Sequence, residues 1–141
     1  MRLHPMFISI LMLASAYAME PFDKVQFQKD LEEKKPVVIQ VSVPWCGHCM
    51  MQKRALKSFE ENPKYADYGY YQLPRSGADE AKAYLNKHFI EPYLKTLDKD
   101  NQQGCNLKTR STLVVISENK VTSCSAFETN KDLIEVMLNS A

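Results

Sequence analysis

The fold is decided by the stretch Pro36-Val37-Val38-Ile39-Gln40-Val41-Ser42-Val43-Pro44-Trp45-Cys46-Gly47-His48-Cys49. Residues 37–43 form an apolar run rich in β-branched side chains, which predicts a buried strand. A helix is predicted directly after it, over residues 46–62, because Pro63 stands just past its end. The side chains predicted for the inner face of this helix are Met50, Leu56 and Phe59.

The two cysteines of this stretch are spaced for disulfide exchange. Cys46 is predicted at the N-terminus of the helix, where unpaired amides and the positive end of the helix dipole favour a thiolate. The imidazolium of His48 can stabilise the same anion. Cys49 lies one helical turn further on, close enough to attack a mixed disulfide formed at Cys46. We therefore predict Cys46 as the nucleophile and Cys49 as the resolving thiol.

Other uses of a Cys-x-x-Cys pair fit this sequence less well. Zinc requires four ligands, and Cys105 and Cys124 do not form a second closely spaced pair. Covalent haem attachment requires a His directly after the second Cys, but Met50 follows here. A purely structural bridge over so short a span would stabilise the fold little. We therefore expect neither a metal nor another cofactor at this site.

Two stretches of the chain resemble the thioredoxin superfamily. The quoted stretch resembles the central strand and active-site turn of that family, with Trp45 in the motif, and Gly47 and His48 between the cysteines match protein disulfide isomerase domains. Residues 107–116 resemble the loop and strand that face the active site. The resemblance implies a thioredoxin-like α/β fold, with a central mixed sheet of about four strands flanked by helices.

The remaining elements are predicted from local patterns. A short helix is predicted around Phe27 and Leu31, ending before Pro36. A final helix is predicted after Asn130, a residue suited to capping it. Further strands are predicted at residues 68–73, 111–117 and 120–125, the last two joined by a turn at Glu118-Asn119.

A helical segment before the third strand exceeds what the family layout requires. It covers residues 78–101, and Pro92 is predicted to kink or divide it. Its apolar side chains recur every four residues at Leu85, Phe89, Tyr93 and Leu97. The segment is either a helix facing the core or a cap that shapes a substrate groove. His88, with no second His nearby in sequence, is predicted to be a surface residue.

The resemblance implies that Arg110, Ser111 and Thr112 form the substrate loop. Thioredoxins commonly have a cis-proline where this chain has Ser111; without proline a cis bond costs about 3 kcal/mol, so we expect a trans bond. Arg110 would then set the charge beside Cys46. Gln40 takes the place of a buried acid that helps move a proton to and from the resolving thiol. Proton transfer must therefore use water or another group.

Cys105 and Cys124 form a second pair on the family layout. Cys105 falls just before the third strand and Cys124 near the end of the fourth, so an antiparallel hairpin would bring them together. In an oxidising compartment we expect a structural disulfide between them. The alternative is a second redox-active pair that relays electrons to or from Cys46 and Cys49.

The N-terminus has the features of a secretory signal peptide. Arg2 supplies the positive charge, residues 6–13 are almost wholly apolar, and Ala16-Tyr17-Ala18 fits a cleavage site. The apolar run is shorter than the roughly 20 residues of a membrane span. We expect residues 1–18 to be removed, leaving residues 19–141 as a single thioredoxin-like domain. The preferred location is a bacterial periplasm, with another secretory route as the alternative.

The charge balance restricts the class of partner. Without residues 1–18, which contain Arg2 and no acidic residue, the chain has 17 basic and 17 acidic residues. This neutrality argues against nucleic acid or an acidic membrane surface as the partner. We expect a monomer without stable membrane insertion.

The leading hypothesis is a periplasmic or secreted thiol-disulfide oxidoreductase that exchanges disulfides with the cysteines of other proteins. The expected partners are proteins with thiols or disulfides, together with an unidentified redox partner that recharges Cys46 and Cys49. Oxidases, isomerases and reductases share these residues, so the sequence leaves the direction of transfer open.

Two hypotheses from other classes remain. The first is a Cu(I)-binding metallochaperone, in which Met50 and Met51 add soft ligands to the two thiolates. The second is a redox-inactive interaction domain, in which Gln40 and Ser111 mark a lost activity.

Overall fold

The computed structural model describes residues 19–141, so the predicted signal peptide lies outside the described residues. The strands are β1 Glu20–Pro21, β2 Val37–Ser42, β3 Gly69–Pro74, β4 Thr112–Ser117 and β5 Lys120–Ala126. The α-helices are α1 Lys24–Glu32, α2 Gly47–Glu60, α3 Asp79–Leu85, α4 Glu91–Leu94 and α5 Lys131–Asn139. A π-helical turn, Asn86–Ile90, joins α3 to α4, and a 3₁₀ helix, Lys99–Gly104, precedes β4.

The strands form one mixed sheet in the order β1-β3-β2-β4-β5. β1, β3 and β2 are parallel, whereas β4 runs antiparallel to β2 and β5 antiparallel to β4. This is the predicted thioredoxin-like α/β architecture, with five strands instead of about four. The additional strand is β1, in which Glu20 and Pro21 pair with Tyr71 and Gln72 at the edge of the sheet. Two residues are too few to show a strand period in the sequence.

The sheet has a hydrophobic core on each face, because alternate residues of a strand point to opposite sides. Ile39 of β2 contributes to the core that includes Phe27 of α1 and Phe89 of the π-helical turn. Val38 contributes to the other core, which contains Leu56 of α2 and Ile134 of α5, among others. β2 is therefore buried on both faces, which explains why its sequence is apolar without alternation.

The helical segment before β4 packs against the core, as one of the two sequence hypotheses predicts. Leu85, Phe89 and Ile90 are buried in the same core as α1. Pro92 has no N–H to donate, and just before it the helix widens, so that the N–H of Glu91 bonds to the carbonyl of Asn86. The segment therefore continues past the proline instead of ending there.

Local sequence signals account for the turn between β4 and β5 and for the start of α5. Glu118 and Asn119 both have positive φ, 52° and 65°, as the tight hairpin between β4 and β5 requires. The side chain of Asn130 accepts hydrogen bonds from the N–H groups of Asp132 and Leu133, which caps α5 as predicted. Within residues 19–141, no helix is both long and apolar enough to cross a membrane.

Candidate active site

Cys46 is the N-cap residue of α2, immediately after the turn that leaves β2. Its sulfur accepts a hydrogen bond from the N–H of Cys49 at 3.1 Å. The first turn of α2 contains no acidic residue that would offset the positive end of the helix dipole. The N-terminus of α2 therefore favours negative charge on the Cys46 sulfur.

Cys46 and Cys49 form a disulfide, with their Cα atoms 5.2 Å apart. Both residues are almost completely buried, with 2% and 1% of their surface exposed. Their neighbours differ: Trp45 is 68% exposed, and Gly47 and His48 are also on the surface. The sulfur atoms thus lie beneath an exposed rim, and a substrate must approach through that rim.

Ser111 contacts both sulfur atoms. Its hydroxyl oxygen lies 3.1 Å from the sulfur of Cys46 and 3.1 Å from that of Cys49. Sulfurs joined in a disulfide carry no hydrogen, so the hydroxyl must be the donor in this state. After reduction, the same hydroxyl can donate to a thiolate on either residue.

The backbone holds Ser111 in this position. Its φ is +63°, in the left-handed region, and its peptide bond with Arg110 is trans, as predicted. Its N–H donates to the carbonyl of Val41 at 2.8 Å. β4 begins at Thr112, so the predicted strand boundary was one residue early. Thr112 is buried, and its hydroxyl has no hydrogen-bond partner among residues 19–141.

A chain of buried amides lies behind the disulfide. The side-chain N–H₂ of Gln40 donates to the carbonyl of Cys49 and to the side-chain oxygen of Gln52, both at 2.9 Å. Gln52 in turn donates to the carbonyl of Ser111 at 2.8 Å. Gln40 and Gln52 together therefore connect β2, α2 and the Ser111 loop, and neither amide titrates. Gln52 was not among the predicted site residues, although its spacing of three residues from Cys49 places both on one helix face.

The rim above the sulfurs is aromatic and cationic. The guanidinium carbon of Arg110 lies 5.3 Å from the centre of the Trp45 ring and 5.9 Å from that of Phe127. The Phe127 ring also meets the His48 ring edge to face, with 5.6 Å between ring centres. Phe127 follows β5, and its N–H donates to the carbonyl of Ser111 at 3.0 Å. No local sequence signal identified Phe127, because it reaches the site only through the β4-β5 hairpin.

Met50 does not lie on the inner face of α2, so that prediction was wrong. Met50 and Met51 are 52% and 53% exposed. The buried side chains of α2 recur at helical spacing from Cys49, whereas Met50 is rotated by about 100° from that row. The row comprises Cys49, Gln52, Leu56 and Phe59, with Ala55 beside it.

The exposed methionines line a shallow, open depression beside the rim, with a volume of about 390 Å³. The other residues around it are Gly47, His48 and Arg54. Within residues 19–141, no group of three or more His, Cys, Asp or Glu side chains is arranged to hold a metal ion.

Cys105 and Cys124 form a second disulfide, with 5.4 Å between their Cα atoms. Cys105 is buried directly after the 3₁₀ helix, and Cys124 lies on β5, opposite Val114 of β4. This bond therefore attaches the segment before β4 to the edge strand of the sheet. His88, predicted at the surface, is exposed on the π-helical turn, where its ring lies near that of Tyr84.

The thioredoxin family model matches residues 18–72, a range that contains β2, the Cys-Gly-His-Cys motif and α2. The described residues have a thioredoxin-like fold, and residues 18–72 match the thioredoxin family. No curated protein sequence matches it. The comparison with solved structures extends the likeness over nearly all of the described residues.

Among solved structures, Trxlp from Edwardsiella tarda aligns with a TM-score of 0.60 and 21% identity, over 86% of this chain and 98% of that chain. The thioredoxin of Fasciola hepatica aligns with a TM-score of 0.55 and 13% identity, over 83% and 93%. Oxidised thioredoxin from Plasmodium falciparum gives 0.53 and 12%, over 88% and 99%. At these identities the likeness establishes the fold. A thioredoxin-like domain with a Cys-x-x-Cys disulfide supports thiol-disulfide oxidoreductase activity in general.

Proposed function

We propose that this thioredoxin-like domain exchanges disulfides with the cysteines of other proteins in an extracytoplasmic compartment. The observation that carries the proposal is the Cys46–Cys49 disulfide at the N-terminus of α2, with the Ser111 hydroxyl 3.1 Å from each sulfur. This arrangement places hydrogen-bond donors at the sulfur that becomes a thiolate when the bond opens. The bond is thereby suited to open and close.

The reaction in the reducing direction follows from this geometry. The Cys46 thiolate attacks one sulfur of a substrate disulfide, forms a mixed disulfide and releases a substrate thiolate, which takes up a proton. Cys49 loses its proton and attacks the Cys46 sulfur, which releases the second substrate thiol. Two electrons pass from the cysteine pair to the substrate. In the oxidising direction the same steps run in reverse, and an external redox partner must restore the pair.

The resolving step requires a route for the proton of Cys49. Gln40 cannot accept this proton, since an amide does not titrate in the physiological range. The Ser111 hydroxyl is a polar group at hydrogen-bond distance from the Cys49 sulfur. It can accept a hydrogen bond from the Cys49 thiol while the Cys46 sulfur is in a mixed disulfide. A serine hydroxyl does not titrate in this range either, so the proton passes to water, and we infer that Ser111 assists resolution by donating a hydrogen bond to the resulting Cys49 thiolate.

The extracytoplasmic location is supported by two independent features of the chain. One is the signal-peptide pattern in the sequence of residues 1–18. The other is the Cys105–Cys124 disulfide, a kind of bond that is typical of oxidising compartments. The full chain should be exported to the periplasm of a bacterial host and recovered there with Met19 at its N-terminus. An uncleaved chain retained in the cytoplasm would refute the location.

A glutathione redox titration tests the activity. The Cys46–Cys49 pair should equilibrate with glutathione, and the reduced protein should accelerate insulin reduction by dithiothreitol. A pair that does not exchange would favour the redox-inactive interaction domain. Titration of the reduced protein with Cu(I) tests the metallochaperone hypothesis; stoichiometric binding that survives competition from glutathione, without disulfide exchange, would support it instead.

A further inference from the structure

Arg110 is held at the rim of the disulfide by two aromatic rings. Its guanidinium lies over the face of Trp45 at 5.3 Å and of Phe127 at 5.9 Å. Stacking against rings restrains a guanidinium while leaving its N–H groups at the edge available as donors. Arg110 also precedes Ser111, whose hydroxyl contacts both sulfurs. The cation is therefore fixed next to the reacting atoms.

The charge of Arg110 is not neutralised by the described part of the protein. Within residues 19–141, the ion pair found is Lys35–Glu33, and the side chain of Arg110 forms none with a carboxylate. Glu128, the acidic residue nearest to Phe127 in sequence, accepts a hydrogen bond from the N–H of Asn130. The first turn of α2, which also faces this rim, has no acidic residue. The rim thus combines a restrained cation with a helix N-terminus and lacks an acidic counterpart.

We propose that Arg110 binds the carboxylate of an acidic residue adjacent to the substrate cysteine. This deepens the proposed function and rests on it, because it names the substrate class as proteins with Asp or Glu beside the reactive cysteine. A guanidinium presents two parallel N–H groups that match a carboxylate, and charge-assisted hydrogen bonds are the strong ones.

Single-turnover kinetics with three peptides tests the inference. Each peptide carries one cysteine as a mixed disulfide with 2-thiopyridine, a neutral leaving group, and the residue after the cysteine is Glu, Gln or Lys. The pre-reduced protein, freed of reductant, supplies both electrons, so each turnover yields the protein disulfide, one peptide thiol and one pyridine-2-thione. Dithiothreitol with the same peptides corrects for their intrinsic reactivity. The measured quantity is the corrected rate with Glu divided by that with Gln.

The expected ratio for the wild-type protein is about tenfold, the order of one charge-assisted hydrogen bond. Arg110→Gln should reduce the ratio to about one, whereas Lys108→Gln, which removes an exposed charge from the same loop, should keep it. Raising the salt from about 0.05 M to about 0.5 M should also lower the wild-type ratio, which tests the proposal without any variant.

Two results would overturn the inference and leave the proposed function intact. One is a wild-type ratio near one while all three peptides react. The other is a Glu preference that Arg110→Gln retains. If none of the peptides reacts faster with the protein than with dithiothreitol, the proposed function fails, and the substrate class fails with it.

Discussion

The two disulfides of this domain have similar geometry and different surroundings. Their Cα atoms are 5.2 Å apart in Cys46–Cys49 and 5.4 Å apart in Cys105–Cys124. The Ser111 hydroxyl is at hydrogen-bond distance from both sulfurs of the first pair, and the Cys46 sulfur also accepts a hydrogen bond from the N–H of Cys49. The second pair joins the end of the 3₁₀ helix to β5. The first bond is surrounded by donors that stabilise the reduced form, and the second attaches two parts of the backbone.

Sequence separation adds a second difference between the bonds. The cysteines are 3 residues apart in the first pair and 19 in the second. The chain-entropy model gives roughly 3 kcal/mol for closing a loop of about 20 residues and roughly 2 kcal/mol for a bond within one helical turn. Opening the first bond therefore costs the fold less than opening the second would. The two bonds thus differ in the polar groups around their sulfurs and in the length of the loop that each bond closes.

The largest expected effect is on turnover. Cys46→Ser should abolish insulin reduction, because the thiol that remains, Cys49, is 1% exposed and has no second cysteine in the motif to resolve a mixed disulfide. Replacing Cys105 and Cys124 together by Ala should leave turnover near the wild-type value, measured at a temperature where the variant remains folded. Loss of turnover in the double variant, with unchanged stability, would show that the second pair is a relay.

The second prediction concerns stability, to which the Cys105–Cys124 bond should contribute more than the Cys46–Cys49 bond. In urea denaturation, the Cys105→Ala, Cys124→Ala protein should lose roughly 3 kcal/mol of unfolding free energy relative to the wild type. The Cys46→Ala, Cys49→Ala protein serves as the matched control and should lose roughly 1 kcal/mol less. Equal losses in both double variants would contradict the comparison drawn from loop length.

The third prediction concerns the hydroxyl that distinguishes the first site. Ser111→Gly removes the hydroxyl and tolerates the left-handed backbone at φ +63°. Because a donor to the thiolate is lost, the pKa of Cys46 should rise, and its alkylation by iodoacetamide near neutral pH should slow about tenfold. Ser111→Ala should show the same change in rate together with some loss of stability. Alkylation at the wild-type rate in both variants would show that the hydroxyl does not stabilise the thiolate.

Ser111→Pro would not test the role of the hydroxyl, although thioredoxins commonly have proline at this position. The ring fixes φ near −65°, whereas Ser111 has φ +63°, and its N–H donates to the carbonyl of Val41 at 2.8 Å. Ser111→Pro would therefore disrupt the loop before it reported on the thiolate.

The smallest expected effect is on the pH dependence of stability, and it comes from a group remote from the Cys46–Cys49 bond. Burial raises the pKa of Glu60, at the end of α2 remote from Cys46, from 4.5 to about 7, and the Glu61 carboxylate adds to the rise. As the pH rises, the unfolded chain releases the Glu60 proton at a lower pH than the folded chain does. Glu60 therefore lowers stability as the pH rises from about 4.5 to about 7. Glu60→Gln should flatten the fall in melting temperature over that interval, whereas Glu32→Gln, at an exposed position of α1, should not. An unchanged slope in Glu60→Gln would assign the pH dependence to other groups.

Much of the fold was predictable because its signals are local. The apolar run of β2, the proline beyond α2 and the Asn130 cap each act on neighbouring residues, and these elements appear within about two residues of the predicted bounds. β1 was missed because it exists through pairing with Tyr71 and Gln72, and its own two residues carry no pattern. Met50 was misplaced because apolar character alone does not fix the side of a helix on which a residue lies.

The pairing of Cys46 with Cys49 could be read from the sequence alone. Three residues of helix fix the relation of Cys46 to Cys49, and local hydrogen bonding defines that helix. The groups that surround the pair are brought there by tertiary packing. The Ser111 hydroxyl reaches the Cys46 sulfur across 65 positions of sequence, and Phe127 joins Arg110 and Trp45 at the rim through the register of β4 with β5. Contacts of this kind depend on how separate elements pack, which no local pattern in the chain encodes.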